Sequence, residues 1–286
     1  MPELPDLLYI QKYLRREITG KTITRVEVKE PIVIRLGVEE KFERALTGRT
    51  IQAIGVRGPF LTLELSDSRD LVLNFMLMGR LHHQHVREKS VGHLCFSLHL
   101  ADGTKLNFCD DQRMAKAFLV QHGEYGRIPK YDQQGISILS PDFILERFKA
   151  LTEQHSRKQV RVFINDQTIL SAVGNAYADE ILFDARIHPK TFVARLSPQE
   201  IETLYHSIRS IIDWGIRKVE EASQPIHVKV REHMRVRNRK GEPCPRCGTT
   251  IRREGVRGHD VFFCPKCQPA SRRLFIDWTS SQNLVS

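Results

Sequence analysis

Two pairs of cysteines, Cys244-x2-Cys247 and Cys264-x2-Cys267, stand sixteen residues apart near the end of the chain. This pattern gathers two tight turns around one point. Four thiolates fill the shell of a tetrahedral Zn²⁺ and leave no open coordination position, so the implied metal is a single structural zinc. The surroundings are basic: residues 227 to 273 carry thirteen Lys and Arg against four Asp and Glu, nearly all of the chain's net charge of +10. A zinc-held basic hairpin is suited to gripping a phosphate backbone, because the metal fixes a loop too small to bury a core of its own. A ribbon that only stabilises the chain or joins copies of it is the alternative reading.

At 286 residues the chain is long enough for two domains with separate cores. Apolar content of 41% and charged content of 27% fit an ordinary globular protein rather than a disordered or membrane-spanning one. No apolar run reaches the length of a membrane span, and the first residues lack the zones of a secretion signal, so the expected compartment is the cytoplasm, at the nucleoid if the source is bacterial. A pI near 9.4 with the charge gathered at one end favours a polyanionic partner. Nucleic acid is preferred to a membrane surface, since no basic amphipathic helix carries a broad apolar face. Cys95 and Cys109 lie in strand-like segments and read as buried small hydrophobes, not as a disulfide framework.

The opening segment has a helical period, with Pro5 in the first turn and Leu7, Ile10, Leu14 and Ile18 on one face, ended by Gly20. From Thr22 to about Phe118 the pattern becomes short alternating strands, among them Phe60–Leu65, Leu71–Phe75 and Leu94–Leu100, joined by turn signals. This predicts an antiparallel sandwich or barrel. A polar, Gly- and Pro-punctuated stretch follows, then helical periodicity from Pro141 to about Ala222. Ser197-Pro198-Gln199-Glu200 carries the cap, first-turn proline and capping-box glutamate of a helix start. The expected organisation is α+β: a β-sandwich domain over 1–120, a linker over 121–140, a helical domain over 141–235, and a four-cysteine hairpin with its tail over 236–286.

Three separated motifs carry a resemblance: Pro2-Glu3-Leu4-Pro5-Asp6 at the start, Asp166-Gln167 followed by Val173-Gly174-Asn175-Ala176-Tyr177-Ala178-Asp179-Glu180, and the four-cysteine ribbon preceded by Arg239-Lys240-Gly241-Glu242-Pro243. Their order and spacing from Pro2 to about Gln268 resemble the formamidopyrimidine-DNA glycosylase and endonuclease VIII family of DNA repair enzymes. Leu4 follows the formamidopyrimidine branch, where the other usually has glycine. The resemblance implies a β-sandwich with an N-terminal helix, then a helix-two-turn-helix domain and zinc finger, acting as a monomer on damaged duplex DNA.

It also implies the chemistry. Removal of Met1 would leave the secondary amine of Pro2 as a nucleophile; an α-amino group titrates near pH ~8, so a useful fraction is neutral at physiological pH. Glu3 would be the general acid at the sugar ring oxygen. For Pro2 and Glu3 alone, an ordinary helix start is the competing reading. By the same resemblance Asn175, after Gly174, contacts phosphate beside the lesion. The resemblance makes Leu77 within Met76-Leu77-Met78-Gly79-Arg80 the wedge that fills the space of an extruded base and Arg113 with Met114 the second insertion loop, while Met and Leu in strand-rich sequence read equally as core. Tyr177 and Glu180 match too, although on a helix they read equally as packing and surface residues.

Three positions depart from the family pattern. Pro59 replaces a lysine, Asp6 a glutamate, and His259 the phosphate-clasping arginine of the finger, with Arg257 two residues away as a substitute. Residues 220–237 give no clear match to the lid that covers the damaged base in some relatives. The leading expectation is a bifunctional glycosylase and abasic-site lyase acting on an oxidised base. A damage-binding protein that keeps the scaffold with weakened catalysis is the second, and a zinc-ribbon accessory factor the third.

Overall fold

The computed structural model describes residues 2–90, 92–171 and 173–270. Met1 and the tail beyond Ala270 lie outside the described residues. In order, the elements are α1 (Leu4–Glu17), β1 (Ile23–Val28), β2 (Ile34–Leu36), α2 (Phe42–Leu46), β3 (Ile51–Arg57), β4 (Phe60–Leu65), β5 (Arg69–Asn74), β6 (Arg80–His85), β7 (Leu94–Leu100), β8 (Thr104–Cys109), β9 (Lys116–Gln121) and β10 (Ile136–Ser137). They continue with α3 (Leu145–Gln154), α4 (Val160–Asn165), β11 (Leu170–Ser171), α5 (Asn175–Asp184), α6 (Pro198–Ala222), β12 (Arg252–Val256) and β13 (His259–Phe263).

The chain divides into two compact units, one drawn from residues 1–140, 167–174 and 212–233, the other from 141–166, 175–211 and 234 onward. In the first, β1-β7-β8-β6 form one sheet and β2-β9-β5-β4-β3 a second. Leu61, Leu63, Leu71 and Leu73 of one sheet share a core with Val26, Phe96, Leu98 and Phe108 of the other, so the sheets pack as a sandwich. Strand β5 is buried on both faces: Leu71 and Leu73 point into that core, while Val72 joins an outer cluster with Phe60, Phe118, Ile128 and Tyr131. Residues 121–140, expected as a connector, thus supply packed side chains to this unit.

Helix α1 lays Leu7, Ile10 and Leu14 into the inter-sheet core, as its period predicts. Burying each such side chain contributes about 1.5–3 kcal/mol. Gln11 Nε2 and Arg15 Nε both donate to the Ile54 carbonyl, at 2.8 and 3.0 Å, fixing the helix against β3. These contacts tie the body of α1 to the sandwich. Residues 167–174 belong to the same unit because β10 and β11 pair in parallel and the Gly135 N–H donates to the Gln167 carbonyl.

The second unit has its own aromatic centre, in which Phe148 lies 5.8 Å from both Phe143 and Phe163 and Tyr205 lies 5.1 Å from Phe143. A smaller core of Phe183, Val236, Ile251, Phe262, Cys244 and Cys264 sits under the hairpin β12–β13.

Candidate active site and nucleic-acid interface

Pro2 and Glu3 are buried at the start of α1, Glu3 with only 8% of its surface exposed. A small cavity there is lined by Pro2, Glu3, Pro59, Gln167 and Gly174. A Cβ on Gly174 would overlap Cγ and Cδ of Glu3, so a larger residue there would require the Glu3 side chain to move. The bare backbone lets the Glu3 side chain approach Gly174 closely, with Pro2 lining the same cavity. Pro59 stands in the wall of the cavity, so its departure from the family lysine falls at the candidate centre.

Asp6, one turn along, accepts the Glu3 N–H at 2.8 Å and takes both arms of the Arg231 guanidinium, at 2.9 and 2.6 Å. The Asp6 carboxylate is thus held by a bidentate fork. Arg231 belongs to a strap, residues 223–233, pinned along its length. The Tyr9 hydroxyl donates to Gln224 O at 2.8 Å, the His227 ring meets the His82 ring edge-on at 4.5 Å, and Lys229 Nζ donates to Leu77 O at 3.1 Å.

Both candidate insertion loops are shaped by a side-chain acceptor. Asn74 Oδ1 accepts the Met76 N–H at 3.0 Å, and Met76 takes φ +46°, turning the loop outward. Asp110, fully buried, accepts the N–H groups of Gln112, Met114 and Ala115 at 3.0, 2.7 and 2.7 Å. The tips are solvent-facing: Leu77 is 55% exposed, Met78 38% and Met114 43%, so none of them is core. A Cβ on Gly79 would overlap Phe75 O and press on Cβ of Ala115, which shows how closely the two loop bases meet. Arg113, at φ +56°, reaches Glu30 at 3.5 Å from an exposed side chain.

In the helical unit, Asn175 opens α5 directly after Gly174. Its Oδ1 accepts from Arg161 Nη2 at 3.0 Å and Asn165 Nδ2 at 3.1 Å. With the oxygen taken twice, the amide is fixed in orientation and its NH₂ is the end left to donate. Glu180 is not a surface residue: it is fully buried and accepts three successive N–H groups, those of Arg235, Val236 and Arg237, at 2.9–3.0 Å. Burial pushes its carboxyl up, and the three amides oppose that push. Tyr177 is fully buried, as a packing residue.

The sulfur atoms of Cys244, Cys247, Cys264 and Cys267 all lie within 4.8 Å of one another, with separations of 3.9, 3.5 and 3.4 Å for three of the pairs. A tetrahedron with Zn–S bonds of about 2.3 Å has S···S edges of roughly 3.8 Å, so the cluster fits one structural zinc. Strands β12 and β13 pair from Arg252↔Phe263 to Val256↔His259. Between them Arg257 and Gly258 take φ +46° and +79°, a two-residue turn of the hairpin type. Arg257 and His259 are both exposed at this tip. Cys95 and Cys109 are buried in strands, and burial pushes their thiols up to about 12 and about 11, so both stay protonated.

Three family models cover most of the chain: the formamidopyrimidine-DNA glycosylase N-terminal domain over residues 1–117, its H2TH domain over 135–225, and a zinc finger found in FPG and IleRS over 241–270. A formamidopyrimidine-DNA glycosylase of Pelotomaculum thermopropionicum is 31% identical over 94% of this chain and 99% of its own. The Bacillus subtilis protein of that name is 33% identical over the same shares. The chain belongs to the formamidopyrimidine-DNA glycosylase family. Among solved structures, Lactococcus lactis Fpg in complex with abasic-site DNA superposes with a TM-score of 0.86 at 25% identity, over 94% of this chain and all of that one. Thermus thermophilus MutM (Fpg) gives 0.81 at 29% identity over the same shares.

Within this formamidopyrimidine-DNA glycosylase scaffold, Pro2 and Glu3 come together with Gly174 in the first unit. Leu77 and Met114 are exposed on neighbouring loops of that unit, and Asn175 and the hairpin tip belong to the second. Arg231, Asp110 and Asn74 escape sequence reasoning. Asn74 and Asp110 are residue types that accept backbone N–H groups in turns, which gives a weak local signal but not the loop shape. Arg231 has no such signal, since its partner lies 225 positions away.

Proposed function

We propose that this chain is a base-excision DNA glycosylase with abasic-site lyase activity, in which Pro2 is the nucleophile and Glu3 the general acid. The carrying observation is the burial of Pro2 and Glu3 against Gly174 at a helix start fixed to the sandwich. With Met1 removed, the Pro2 nitrogen attacks C1′ of the damaged nucleotide. The bond from C1′ to the base breaks, and the base leaves with the electron pair and takes up the proton that the Pro2 nitrogen gives up on forming its bond to C1′. Glu3 gives its proton to the ring oxygen as the sugar opens, leaving an iminium between Pro2 and C1′. That cation is an electron sink: loss of a C2′ proton expels the 3′ phosphate, and a further elimination expels the 5′ phosphate. Leu77, Met114 and Arg113 would fill and flank the gap left by the extruded base. Asn175 and the Arg257–His259 tip would hold backbone phosphates. The zinc is structural and supplies a fixed hairpin rather than reaction chemistry. Acting on DNA, with bacterial relatives, the protein is read as cytoplasmic and nucleoid-associated.

Borohydride trapping on duplex DNA with one abasic site tests this, using protein verified by mass to begin at Pro2. Wild type should form a covalent adduct mapped to Pro2, Pro2→Gly should lose most of it, and Glu3→Gln should lose base excision. Tight DNA binding with no adduct would instead assign the protein to the damage-binding class.

A further inference from the structure

The acceptor side of Asn175 does not end at Arg161. Arg161 Nε donates to Asp179 Oδ1 at 3.0 Å, and both residues are almost fully buried, at 3% and 1% exposure. The other oxygen of Asp179 accepts from Arg237 Nη1 at 2.8 Å and from the Phe262 N–H of β13 at 3.3 Å. Arg237 Nη1 also donates to Asp260 O at 2.9 Å, and its guanidinium lies over the Phe262 ring at 5.0 Å. All these groups belong to one compact unit. One buried carboxylate thus has two arms. The first runs through Arg161 to the Asn175 amide, and the second runs through Arg237 and the Phe262 amide to the zinc hairpin.

From this geometry we propose that Asp179 is a positioning residue for DNA binding, acting through Arg161 on the Asn175 amide and through Arg237 on the hairpin, so that the two phosphate-contacting elements are set together. The inference rests on the reading of Asn175 as a phosphate contact and goes beyond it by naming what orients that contact. Rotation of the Asn175 amide would exchange donor for acceptor and place an oxygen against the phosphate. Arg161 prevents this by donating to Oδ1 and to the Asn175 carbonyl, at 3.0 and 3.3 Å. Asp179 in turn fixes the plane of the Arg161 fork, which a lysine could not reproduce.

The test is a double-mutant cycle on affinity for abasic-site duplex DNA, combining Asp179→Asn with Asn175→Ala in the zinc-loaded full chain. A charge-assisted contact from Asn175 predicts that Asn175→Ala weakens binding roughly 10-fold or more in wild type. In the Asp179→Asn background the same change should cost no more than about 3-fold, because the amide is no longer held. Equal costs in both backgrounds would overturn the relay and leave the phosphate reading standing. No cost in wild type would remove the phosphate reading, and the relay with it.

Arg237→Gln and Arg161→Lys serve should Asp179→Asn fail to fold, since each leaves the Asp179 side chain in place beside its other arginine. The Arg161→Lys protein should show the Asn175 side-chain NH₂ resonances shifted and averaged in NMR, together with the reduced Asn175→Ala cost. Unmoved resonances in that folded variant would contradict the positioning role.

Discussion

Glu180 replaces the missing helix-like partners of three consecutive amides in 235–237, and the cost of removing it follows from burial. Glu180→Ala leaves those N–H groups without an acceptor inside the unit; at about 1–3 kcal/mol for each, urea denaturation should show a loss of about 3 kcal/mol or more. A loss below about 1 kcal/mol would mean that water or another acceptor takes over. Gly174 is sensitive for a different reason. Gly174→Ala requires the Glu3 side chain to shift; if Glu3 is the general acid proposed, excision should fall on the order of 100-fold in a single-turnover assay, because misplacing a catalytic group by about 1 Å can cost that much. Affinity for abasic DNA should change far less. The Pro2-Glu3 start and the Gly174-Asn175 pair are visible in the sequence, but their reasons are not. That Gly174 is needed by the Glu3 side chain rather than by its own φ depends on two segments some 170 residues apart in the chain.

At the level of elements, the insertion loops separate stability from function. Leu77 and Met114 are exposed, so Leu77→Ala and Met114→Ala should leave thermal stability within about 0.5 kcal/mol of wild type. Phe108→Ala, in the inter-sheet core, should cost about 3–5 kcal/mol. If Leu77 is a wedge, Leu77→Ala should slow excision from fully paired duplex more than nicking at an abasic site already lacking its base; equal slowing would argue against the wedge. Helix α1 follows from apolar period alone because it buries a regular face, whereas β4, β5 and β7, buried on both faces, follow from short apolar runs bounded by turn signals. The loop shapes do not, since Asn74 and Asp110 act by accepting backbone N–H groups, which leaves no periodic trace. The strap over 223–233 is equally hidden: its anchors, His82, Tyr9 and Asp6, lie in distant segments.

For the molecule as a whole, the strap ties stability to pH. His82, His227 and His233 are each held below the usual histidine range, chiefly by burial. Around them, Arg80 acts on His227, Lys105 and His83 on His82, and Arg231 and Lys218 on His233 in the same direction; Glu88, Asp6 and Glu232 oppose it. A folded value below the unfolded one means that the unfolded chain binds protons first as pH falls. The stabilisation is therefore complete above about 6.5 and is lost as pH drops from there through the lower folded values. The melting temperature should fall between pH 7.5 and 5.5, and less steeply for a His82→Phe, His227→Phe variant; parallel curves would exclude these rings as the cause. Zinc removal acts elsewhere, opening the small core that Cys244 and Cys264 share with Phe183 and Phe262. It should weaken DNA binding with little sequence dependence and flatten the salt response, measured on verified metal-free protein.

The interleaving of the two units also sets a timetable. During synthesis the cavity wall around Pro2 lacks Gln167 and Gly174 until that stretch emerges, and the strap that grips Asp6 follows only with residues 223–233. A nascent chain can expose its N-terminal segment early, yet these surroundings are completed only once residues 223–233 have been made. If Pro2 is the nucleophile proposed above, the order of emergence from the ribosome would leave it without these neighbours until residue 233 has been made.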